Sequence, residues 1–415
     1  MKALFIGGTG VISTAISRLL VSQGWDLTLL NRGSRAQDVP GAKQLTIDVN
    51  DEKAAAKAIA QEHFDAVCDF IAFVPAQAER DVRLFKGKTD QYIFISSASA
   101  YQKPLSHPVI RESTPLFNPY WEYSRNKIAI EELLMKEYRE NGFPITIVRP
   151  SHTFSFRSLP VAIHGDKGPW QVLKRMMEGK RVLMPGDGSS LWAVMNSEDF
   201  APAFVGLMGN IHAIGQAVQI TGEELLTWNQ IMQSVARALG AEYKPCFVPS
   251  TMLAKCRRYD FNGAMVGDKS NSVIFDNSLL HRLVPTFQQK QRFDQSARES
   301  VAYFLSHPEL QTEDPDFDAF SDEVIRVMDE AEQRIAGLQR PRFPQRAPNS
   351  GKKPACVPIT GYRPVLYWTY NESKSRIIRS RSGRRKKAIC SPLRRRPSGI
   401  LRQRAWPGRR FSAAR

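Results

Sequence analysis

A glycine-rich turn near the start of the chain places the strongest constraint on the fold. The apolar segment Lys2–Ile6 predicts a short strand, and apolar residues at helical spacing follow the turn. Gly7 and Gly8 allow a sharp turn. Gly10 leaves room for a pyrophosphate at the helix N-terminus, where free N–H groups and the helix dipole favour negative charge. Ser13 replaces the last glycine of the usual pattern. The context predicts dinucleotide binding, and the alternative is a tight structural turn. The predicted contacts are Gly7, Gly8, Thr9, Gly10, Val11 and Ile12.

The rest of the first 150 residues alternates between predicted strands and helices. The periodicity of apolar residues predicts further strands at 25–30, 44–47, 66–73, 92–95 and 144–148. It predicts helices at 54–62, 76–85 and 122–140. Strict alternation implies a doubly wound parallel sheet covered on both faces, that is, an α/β fold of the Rossmann type. One later strand, at 216–220, is expected to return to this sheet, and a helix at 320–336 is expected to close the globular part.

Charge divides the chain into two regimes. Of the 58 Lys and Arg residues, 22 lie at 340–415, together with one of the 41 acidic residues. The first 339 residues therefore carry 36 basic and 40 acidic groups, and their net charge is −4. We expect a dinucleotide-binding domain at 1–150, a smaller mixed substrate-binding domain at 151–339 and a basic low-complexity tail at 340–415.

The tail has no helical or alternating apolar pattern, so disorder is expected there. It allows two interpretations. The functional one is an electrostatic grip on nucleic acid or on anionic lipid. The other is a solvated tail, or an out-of-frame extension of a chain that ends near residue 340.

Several classes of protein are disfavoured by composition. No uninterrupted apolar run approaches the ~20 residues that a membrane span needs. The N-terminus lacks the features of a secretory signal. The five cysteines are scattered and never form Cys-x-x-Cys, which argues against a disulfide framework or a metal site. A reducing, cytoplasmic location is the expectation.

The end of the second predicted strand bears on the choice of cofactor. A carboxylate at this place binds the ribose 2′-hydroxyl of NAD, but the chain has Asn31 and Arg32 there. A 2′-phosphate can pair with Arg32, with Arg35 as a helper, so NADP is favoured over NAD. Asp48 follows the third strand and can accept from the adenine amino group, or it caps the strand end. The further residues predicted to contact the cofactor are Asp48, Val49, Ala72 and Lys127.

A second group of residues is typical of hydride-transfer chemistry. Tyr123 and Lys127 are four residues apart on a predicted helix, so they share one face. A neighbouring ammonium is expected to lower the pKa of the tyrosine and to bring proton exchange within reach. Ser97 follows a predicted strand at the edge of the sheet where such folds bind ligands. Its hydroxyl can hold a substrate carbonyl or alcohol beside the tyrosine. An exposed helix pair is the alternative for the tyrosine and lysine.

These motifs resemble the extended short-chain dehydrogenase/reductases, within the NAD-dependent epimerase/dehydratase group. The resemblance covers about residues 1–310. It rests on the glycine turn, Asp48-Val49, the segment Ser96-Ser97-Ala98-Ser99-Ala100-Tyr101, Tyr123-x-x-x-Lys127 and Arg149-Pro150. It implies that Tyr123 is the acid/base, that Lys127 binds ribose and lowers the pKa of the tyrosine, and that Ser97 orients the substrate. The nicotinamide would carry the redox step. A homodimer through the Tyr123 helix is also implied.

The substrate region departs from the nucleotide-sugar members of this family. His152 stands where they commonly carry Asn. Trp192 and Met265 stand where they carry arginines for the nucleotide diphosphate. Losing bidentate arginines removes charge-assisted bonds to a diphosphate. A nucleotide sugar is therefore one possibility, and a smaller or less anionic substrate is another. The candidate substrate contacts are Ser99, His152 and Trp192, and the candidate substitutes for the arginines are Lys174, Lys180, Arg181 and Lys269.

Two functions are compatible with the sequence. The first is an NAD(P)-dependent oxidoreductase or epimerase acting on a hydroxyl or carbonyl carbon of a sugar-like or nucleotide-sugar metabolite. The second is a non-catalytic or RNA-associated use of the same fold, similar to the chloroplast stem-loop RNA-binding relatives. The intact Tyr123 and Lys127 pair favours the first, and the basic tail favours the second.

Overall fold

A computed structural model describes residues 1–33 and 39–338 of the chain. Arg35 and the basic tail at 340–415 lie outside the described residues. Within the described part no helix combines the length and the apolar character that crossing a membrane would require.

Seven parallel strands form the central sheet, in the order β12-β7-β5-β4-β1-β2-β3. This confirms the predicted Rossmann-type fold class, and the segment expected to return to the sheet supplies its edge strand β12. The strands are β1 (Lys2–Ile6), β2 (Asp26–Asn31), β3 (Lys43–Thr46), β4 (Ala66–Asp69), β5 (Tyr92–Ile95), β7 (Ile145–Pro150) and β12 (Ala217–Ile220). Because all seven strands are parallel, their carboxyl ends meet along one edge of the sheet.

Helices cover both faces of this sheet and bury its apolar side chains in two core layers. One face packs against α1 (Ser13–Ser22), α6 (Ser197–Val205) and α9 (Ser278–Leu283). The other packs against α2 (Glu52–Ala58), α3 (Pro75–Phe85) and α4 (Glu122–Asn141). Sheets covered on both faces need strands that are apolar on both sides, and β4 and β5 are buried along their whole length.

A third core layer joins most of the elements that follow β7 with Ala98, Tyr101 and Ile110, which precede it. Its helices are α5 (Trp170–Met177), α7 (Trp228–Ala238), α8 (Ser250–Leu253), α10 (Phe293–Ser306) and α11 (Pro315–Ala336). Four two-stranded sheets pair β10 with β13, β11 with β8, β14 with β9 and β15 with β6. Their strands are β6 (Val109–Ile110), β8 (His152–Phe154), β9 (Val182–Pro185), β10 (Leu191–Trp192), β11 (Val194–Asn196), β13 (Leu226–Thr227), β14 (Pro245–Val248) and β15 (Ile274–Phe275). A π-helical segment, Asn262–Lys269, lies in this region.

Side-chain capping explains where the observed elements differ in length from the predicted ones. β4 ends at Asp69 rather than at residue 73, because Asp69 Oδ1 accepts from the N–H groups of Ile71 and Ala72 and turns the backbone. The last helix begins at Pro315 rather than at residue 320, because Asp314 accepts from the N–H of Phe317 and caps it.

Candidate active site

The glycine turn leaves β1 at the carboxyl edge of the sheet. Gly7 and Gly8 have positive φ angles of 102° and 95°, which side chains other than glycine rarely adopt. A Cβ at Gly8 would lie 2.6 Å from Leu29 Cδ2. In the described part of the chain the N–H groups of Val11 and Ile12 have no acceptor. They are free to bind an anion at the start of α1.

A cavity of about 460 Å³ opens from this turn along the ends of β1, β2 and β3. Arg32 is exposed in its lining, and Asn31 is tied down by accepting from the N–H of Gly33. Asp48 Oδ1 accepts from the backbone and side-chain N–H groups of Asn50, at 2.9 and 3.0 Å. The lining also includes Gly7, Gly8, Thr9, Gly10, Ser13, Val49, Phe70, Ile71, Phe73 and Gln77. The shape, the free N–H groups and these polar side chains fit the adenosine and pyrophosphate parts of a dinucleotide.

Three predicted cofactor contacts have other surroundings. Ala72 is completely buried, outside the lining of this cavity, and its carbonyl accepts from Lys127. Ile12 is half-buried against the core beneath α1. Val11 is exposed and lines a neighbouring cavity instead. For Val11 and Ile12 the groups available to an anion are therefore the backbone N–H groups, which have no acceptor among the described residues.

A buried network behind Asp48 was not found from the sequence. Arg80 is 5% exposed, donates to Asn50 Oδ1 at 2.8 Å and pairs with Asp81 at 2.7 Å. Tyr92 donates to the other oxygen of Asp81 at 2.7 Å. Burial and then the charge of Asp69 raise the pKa of Asp81. Asn50 therefore connects Asp48 to a rigid buried cluster, which orients the Asp48 carboxylate toward the cavity.

Ser97 follows β5 and heads a chain of hydroxyl groups. Its Oγ lies 2.9 Å from Ser99 Oγ, which in turn accepts from Ser124 Oγ at 2.8 Å. Ser99 is buried, and its carbonyl accepts from Asn118 at 2.9 Å. This chain fixes the hydroxyl of Ser97 next to the start of α4, where Tyr123 is located.

The pKa of Tyr123 differs from the expectation. Burial raises it, a hydrogen bond with Ser97 opposes that effect, and the charge of Asp268 adds to it. The net shift is upward, so the expected lowering by Lys127 is not observed, because burial dominates. The phenol is thus protonated at neutral pH, in the state that can donate a proton to a carbonyl oxygen.

Lys127 lies beneath Tyr123 and is almost completely buried. Its Nζ donates to the carbonyls of Ala72 and Ile95, each at 2.7 Å. The ammonium is 5.7 Å from the centre of the Tyr123 ring and 4.9 Å from that of Phe73. Burial lowers the pKa of Lys127 to about 8. An ammonium has three donors, so one N–H remains after the two carbonyls are bound.

A further cavity of about 230 Å³, the second cavity, is lined by Ser97 and Tyr123. It brings together all the predicted catalytic and substrate residues except Lys127. Its lining consists of Ser97, Ala98, Ser99, Lys103, Trp121, Tyr123, Pro150, Ser151, His152, Trp192, Ala193, Asp268, Val273 and Phe275. The rings of Phe73, which lines the dinucleotide cavity, and Tyr123 are 6.4 Å apart. The two cavities therefore adjoin at the tyrosine.

His152 and Trp192 form one wall of this second cavity. Burial, followed by the charges of Lys269 and His164, lowers the pKa of His152 to about 3, so the ring is neutral at physiological pH. Trp192 is 5% exposed, and its indole N–H has no acceptor among the described residues. Both rings pack against Trp228, which stabilises the wall.

Lys103 and Asp268 are cavity residues that the sequence analysis missed. Asp268 belongs to the π-helical segment, a rare conformation that is frequent at functional sites. Burial raises the pKa of Asp268 to about 6, although Lys103 and Lys269 oppose the shift. Burial lowers the pKa of Lys103, which Asp268 partly offsets. No spacing pattern in the sequence indicates this pair, because the two residues come from distant segments of the chain.

The candidate substitutes for the diphosphate arginines are engaged elsewhere. Lys174 pairs with Glu313, Lys180 with Glu178, and Arg181 with Asp329. Lys269 donates to two backbone carbonyls, those of residues 161 and 162. Met265 is buried in the core. None of these five residues lines the second cavity.

Arg149 precedes Pro150 in β7 and lies outside the lining of the second cavity. It is 5% exposed and pairs with the buried carboxylate of Glu131 at 2.6 Å. Ser96 donates to the same carboxylate, and the Arg149 guanidinium lies 4.9 Å from the centre of the Tyr101 ring. The pair joins β7 to α4, and through Ser96 it is connected to the segment that contains Ser97.

The chain is similar in sequence to known proteins. The chain is 24% identical over 292 residues to 2′-dehydrokanamycin reductase of Streptomyces kanamyceticus, covering 70% of this chain and 81% of that protein. It is 27% identical over 253 residues to the chloroplast stem-loop binding protein of 41 kDa b of Arabidopsis thaliana, covering 58% of this chain and 63% of that protein.

Among solved structures, the fold is similar to UDP-glucuronic acid 4-epimerase of Bacillus cereus in complex with UDP-glucuronic acid and NAD. The TM-score is 0.59 at 16% identity, over 74% of this chain and 99% of the other. The model of the NAD dependent epimerase/dehydratase family matches residues 3–220, more than half of the chain. The chain therefore belongs to the NAD dependent epimerase/dehydratase family.

Proposed function

We propose that this protein is an NAD(P)-dependent reductase or epimerase that interconverts a hydroxyl and a carbonyl group on a sugar-like substrate. The observation that carries the proposal is the position of Tyr123. Its ring lines the second cavity and lies 6.4 Å from the ring of Phe73, which lines the dinucleotide cavity, and Ser97 and Lys127 are immediate neighbours. This is the arrangement that proton transfer at a substrate oxygen requires.

The bound nicotinamide would supply the hydride, and the protein supplies geometry and protonation. In the reducing direction the hydroxyl of Tyr123 gives its proton to the substrate oxygen, which becomes an alcohol. Ser97 donates a hydrogen bond to the same oxygen, because its Oγ is fixed by Ser99. In the oxidising direction Tyr123 takes the proton back. The buried ammonium of Lys127 stabilises the phenolate that remains after donation.

The substrate that the cavity favours is sugar-like and lacks a diphosphate. The cations that could replace the missing diphosphate arginines are paired with acids or with backbone carbonyls. Similarity to a protein named 2′-dehydrokanamycin reductase supports a reductase. A nucleotide sugar is the alternative, and its competing prediction is that UDP inhibits.

We propose NADP as the preferred cofactor. Arg32 is exposed in the lining of the dinucleotide cavity and has no ion-pair partner among the residues described by the structure. The end of β2 has the sequence Asn31-Arg32-Gly33, which contains no carboxylate to repel a 2′-phosphate. An arginine in this place binds phosphate with charge-assisted hydrogen bonds.

The decisive experiment compares two tyrosine variants on the same helix. Absorbance of the reduced nicotinamide is followed with the full-length protein, both dinucleotides and a panel of keto sugars, free sugars and sugar nucleotides. Tyr123→Phe should lower turnover at least a hundredfold, because general acid–base catalysis contributes roughly 10²–10⁴-fold. Tyr138→Phe, near the other end of α4, is the matched control. Undiminished turnover in Tyr123→Phe would show that the mechanism is wrong.

A non-catalytic, RNA-associated role is the weaker candidate. Similarity to the chloroplast stem-loop binding protein is its support. Such a role does not require Ser97, Tyr123 and Lys127 to cluster beside two cavities. Retention on an RNA column, compared between full-length protein and a chain that ends at residue 339, measures it directly.

A further inference from the structure

Two opposite charges in the second cavity act on each other but are in direct polar contact with no described residue. Lys103 is 1% exposed and Asp268 is half-buried. Within residues 1–33 and 39–338, neither side chain makes an ion pair within 4.0 Å or a hydrogen bond. Buried lysine and aspartate side chains are almost always paired, because an uncompensated charge is costly to remove from water. A ligand is the natural source of the missing partners.

Two further polar groups in the same wall are also without partners. The indole N–H of Trp192 has no acceptor in the described part of the chain. The neutral ring of His152 packs on Trp228 and makes no hydrogen bond to a described residue. The cavity thus offers a donor from Lys103, an acceptor from Asp268, and one nitrogen of each kind from His152. A ligand that satisfies all of them must donate and accept in several directions.

The mixture of charges indicates the chemistry of that ligand. A phosphate or carboxylate would pair with Lys103 but would be repelled by Asp268. An ammonium group would pair with Asp268 but would be repelled by Lys103. A hydroxyl group both donates and accepts, so one hydroxyl can donate to Asp268 while its neighbour accepts from Lys103. The volume of about 230 Å³ lies below the ~300–1,000 Å³ of sites for drug-sized ligands, and it therefore suits a single ring.

We propose that Lys103 and Asp268 together bind two neighbouring hydroxyl groups of one uncharged sugar ring. The aromatic walls formed by Trp121 and Trp192 cover the apolar C–H surface of that ring. The inference deepens the proposed function and rests on it in taking this cavity as the substrate site. It adds that recognition is made by a balanced pair of charges, and that charged sugars are rejected.

The test measures binding without cofactor, so that catalysis plays no part. Ligand-observed NMR with the full-length protein gives dissociation constants for the methyl glycosides of glucose, galactose and mannose and for myo-inositol. Methyl glucosaminide, methyl glucuronide and UDP serve as the charged probes. We expect at least one uncharged probe to bind, and each charged probe to bind at least tenfold more weakly than the best uncharged one.

Variants of the pair then identify the contacts. Lys103→Met and Asp268→Asn should each weaken binding of the best uncharged probe by roughly ten- to hundredfold, as expected for hydrogen bonds to charged groups. The double variant should be weaker by less than the product of the two, because both residues hold the same pair of hydroxyls. Lys86→Met and Asp187→Asn, both at exposed positions, are matched controls that should not change binding. Thermal unfolding checks that each variant is folded, and Lys103→Gln replaces the methionine variant if that one is not.

Three results would overturn the proposal: no binding of any uncharged probe, unchanged affinity in both variants, or tighter binding of a charged probe. Failure of the proposed function is recognised separately. In that case uncharged glycosides bind through Lys103 and Asp268, yet no sugar supports turnover with either dinucleotide. A third result is possible: Tyr123→Phe abolishes turnover, but substitutions of Lys103 and Asp268 leave the glycoside affinity unchanged. The proposed function is then correct and this inference is wrong.

Discussion

Asp268 should reduce the stability of the fold at neutral pH, and replacing it with asparagine should restore that stability. Burial raises its pKa from 3.8 to about 6, and neither Lys103 nor Lys269 reverses the shift. A difference of this size corresponds to about 3 kcal/mol of free energy of unfolding. The side chain is half-buried and has no hydrogen-bond partner among the described residues. Asp268→Asn keeps the shape of the side chain and removes the charge.

The sign of the effect fixes its pH dependence. Between pH 3.8 and 6 the folded chain holds a proton on Asp268 that the unfolded chain has released. Stability therefore falls as the pH rises through this window, and the full cost is present above pH 6. The variant should match the wild type below pH about 4 and should be more stable by up to about 3 kcal/mol at pH 7.

Urea unfolding at pH 4 to 8, followed by circular dichroism, measures the difference. Asp276→Asn is the matched control of opposite sign, because hydrogen bonds from Ser278 and Arg111 lower the pKa of Asp276 to about 2. That variant should be less stable than the wild type across the same range. If Asp268→Asn is destabilised at pH 7, the carboxylate has a structural partner, and its assignment to substrate binding is wrong.

Three further predictions concern the buried charges and the cofactor. Burial lowers the pKa of Lys127 to about 8, so kcat/KM should fall above pH 8 as the ammonium loses its proton. An active Lys127→Arg variant stays charged and should not show this fall in kcat/KM. Arg149→Met should lower the free energy of unfolding by about 3–5 kcal/mol in urea, since Glu131 would remain buried without its partner, and the added Glu131→Gln should recover part of the loss. Arg32→Ser should raise KM for NADP at least tenfold while leaving KM for NAD within twofold, and an equal effect on both cofactors would contradict 2′-phosphate binding.

The fold was predictable from the sequence because its signals are local. The glycine turn, the buried strands and the i,i+4 spacing of Tyr123 and Lys127 each depend on residues close together in the chain. Parallel strands then bring their carboxyl ends to one edge, which places Ser97 near Tyr123. The ends of β4 and of the last helix were less well predicted, since single aspartate caps determine them. The predicted dimer through α4 stays a prediction.

The electrostatics of the site were not predictable in the same way. Sequence spacing placed an ammonium beside the phenol, and from that alone a lowered pKa of Tyr123 followed. The structure adds burial, which outweighs the other contributions, and the charge of Asp268, which lies far away in the sequence. Burial depends on every surrounding segment, so its effect on a pKa cannot be read from two residues on one helix.

The distribution of lysines around the site supports an uncharged substrate. Lys127 and Lys269 each donate to two backbone carbonyls, so the protein itself solvates these two ammonium groups. Among the described residues Lys103 has no such partners, and Asp268 is the opposite charge that acts on its pKa. A diphosphate in this cavity would be repelled by Asp268, and it would meet one lysine, Lys103, with Trp192 in the place of an arginine. A ring of hydroxyls needs no net charge, and it uses the lysine and the aspartate equally. The proposal of an uncharged substrate therefore accounts both for Trp192 in the place of an arginine and for the opposite charges of Lys103 and Asp268.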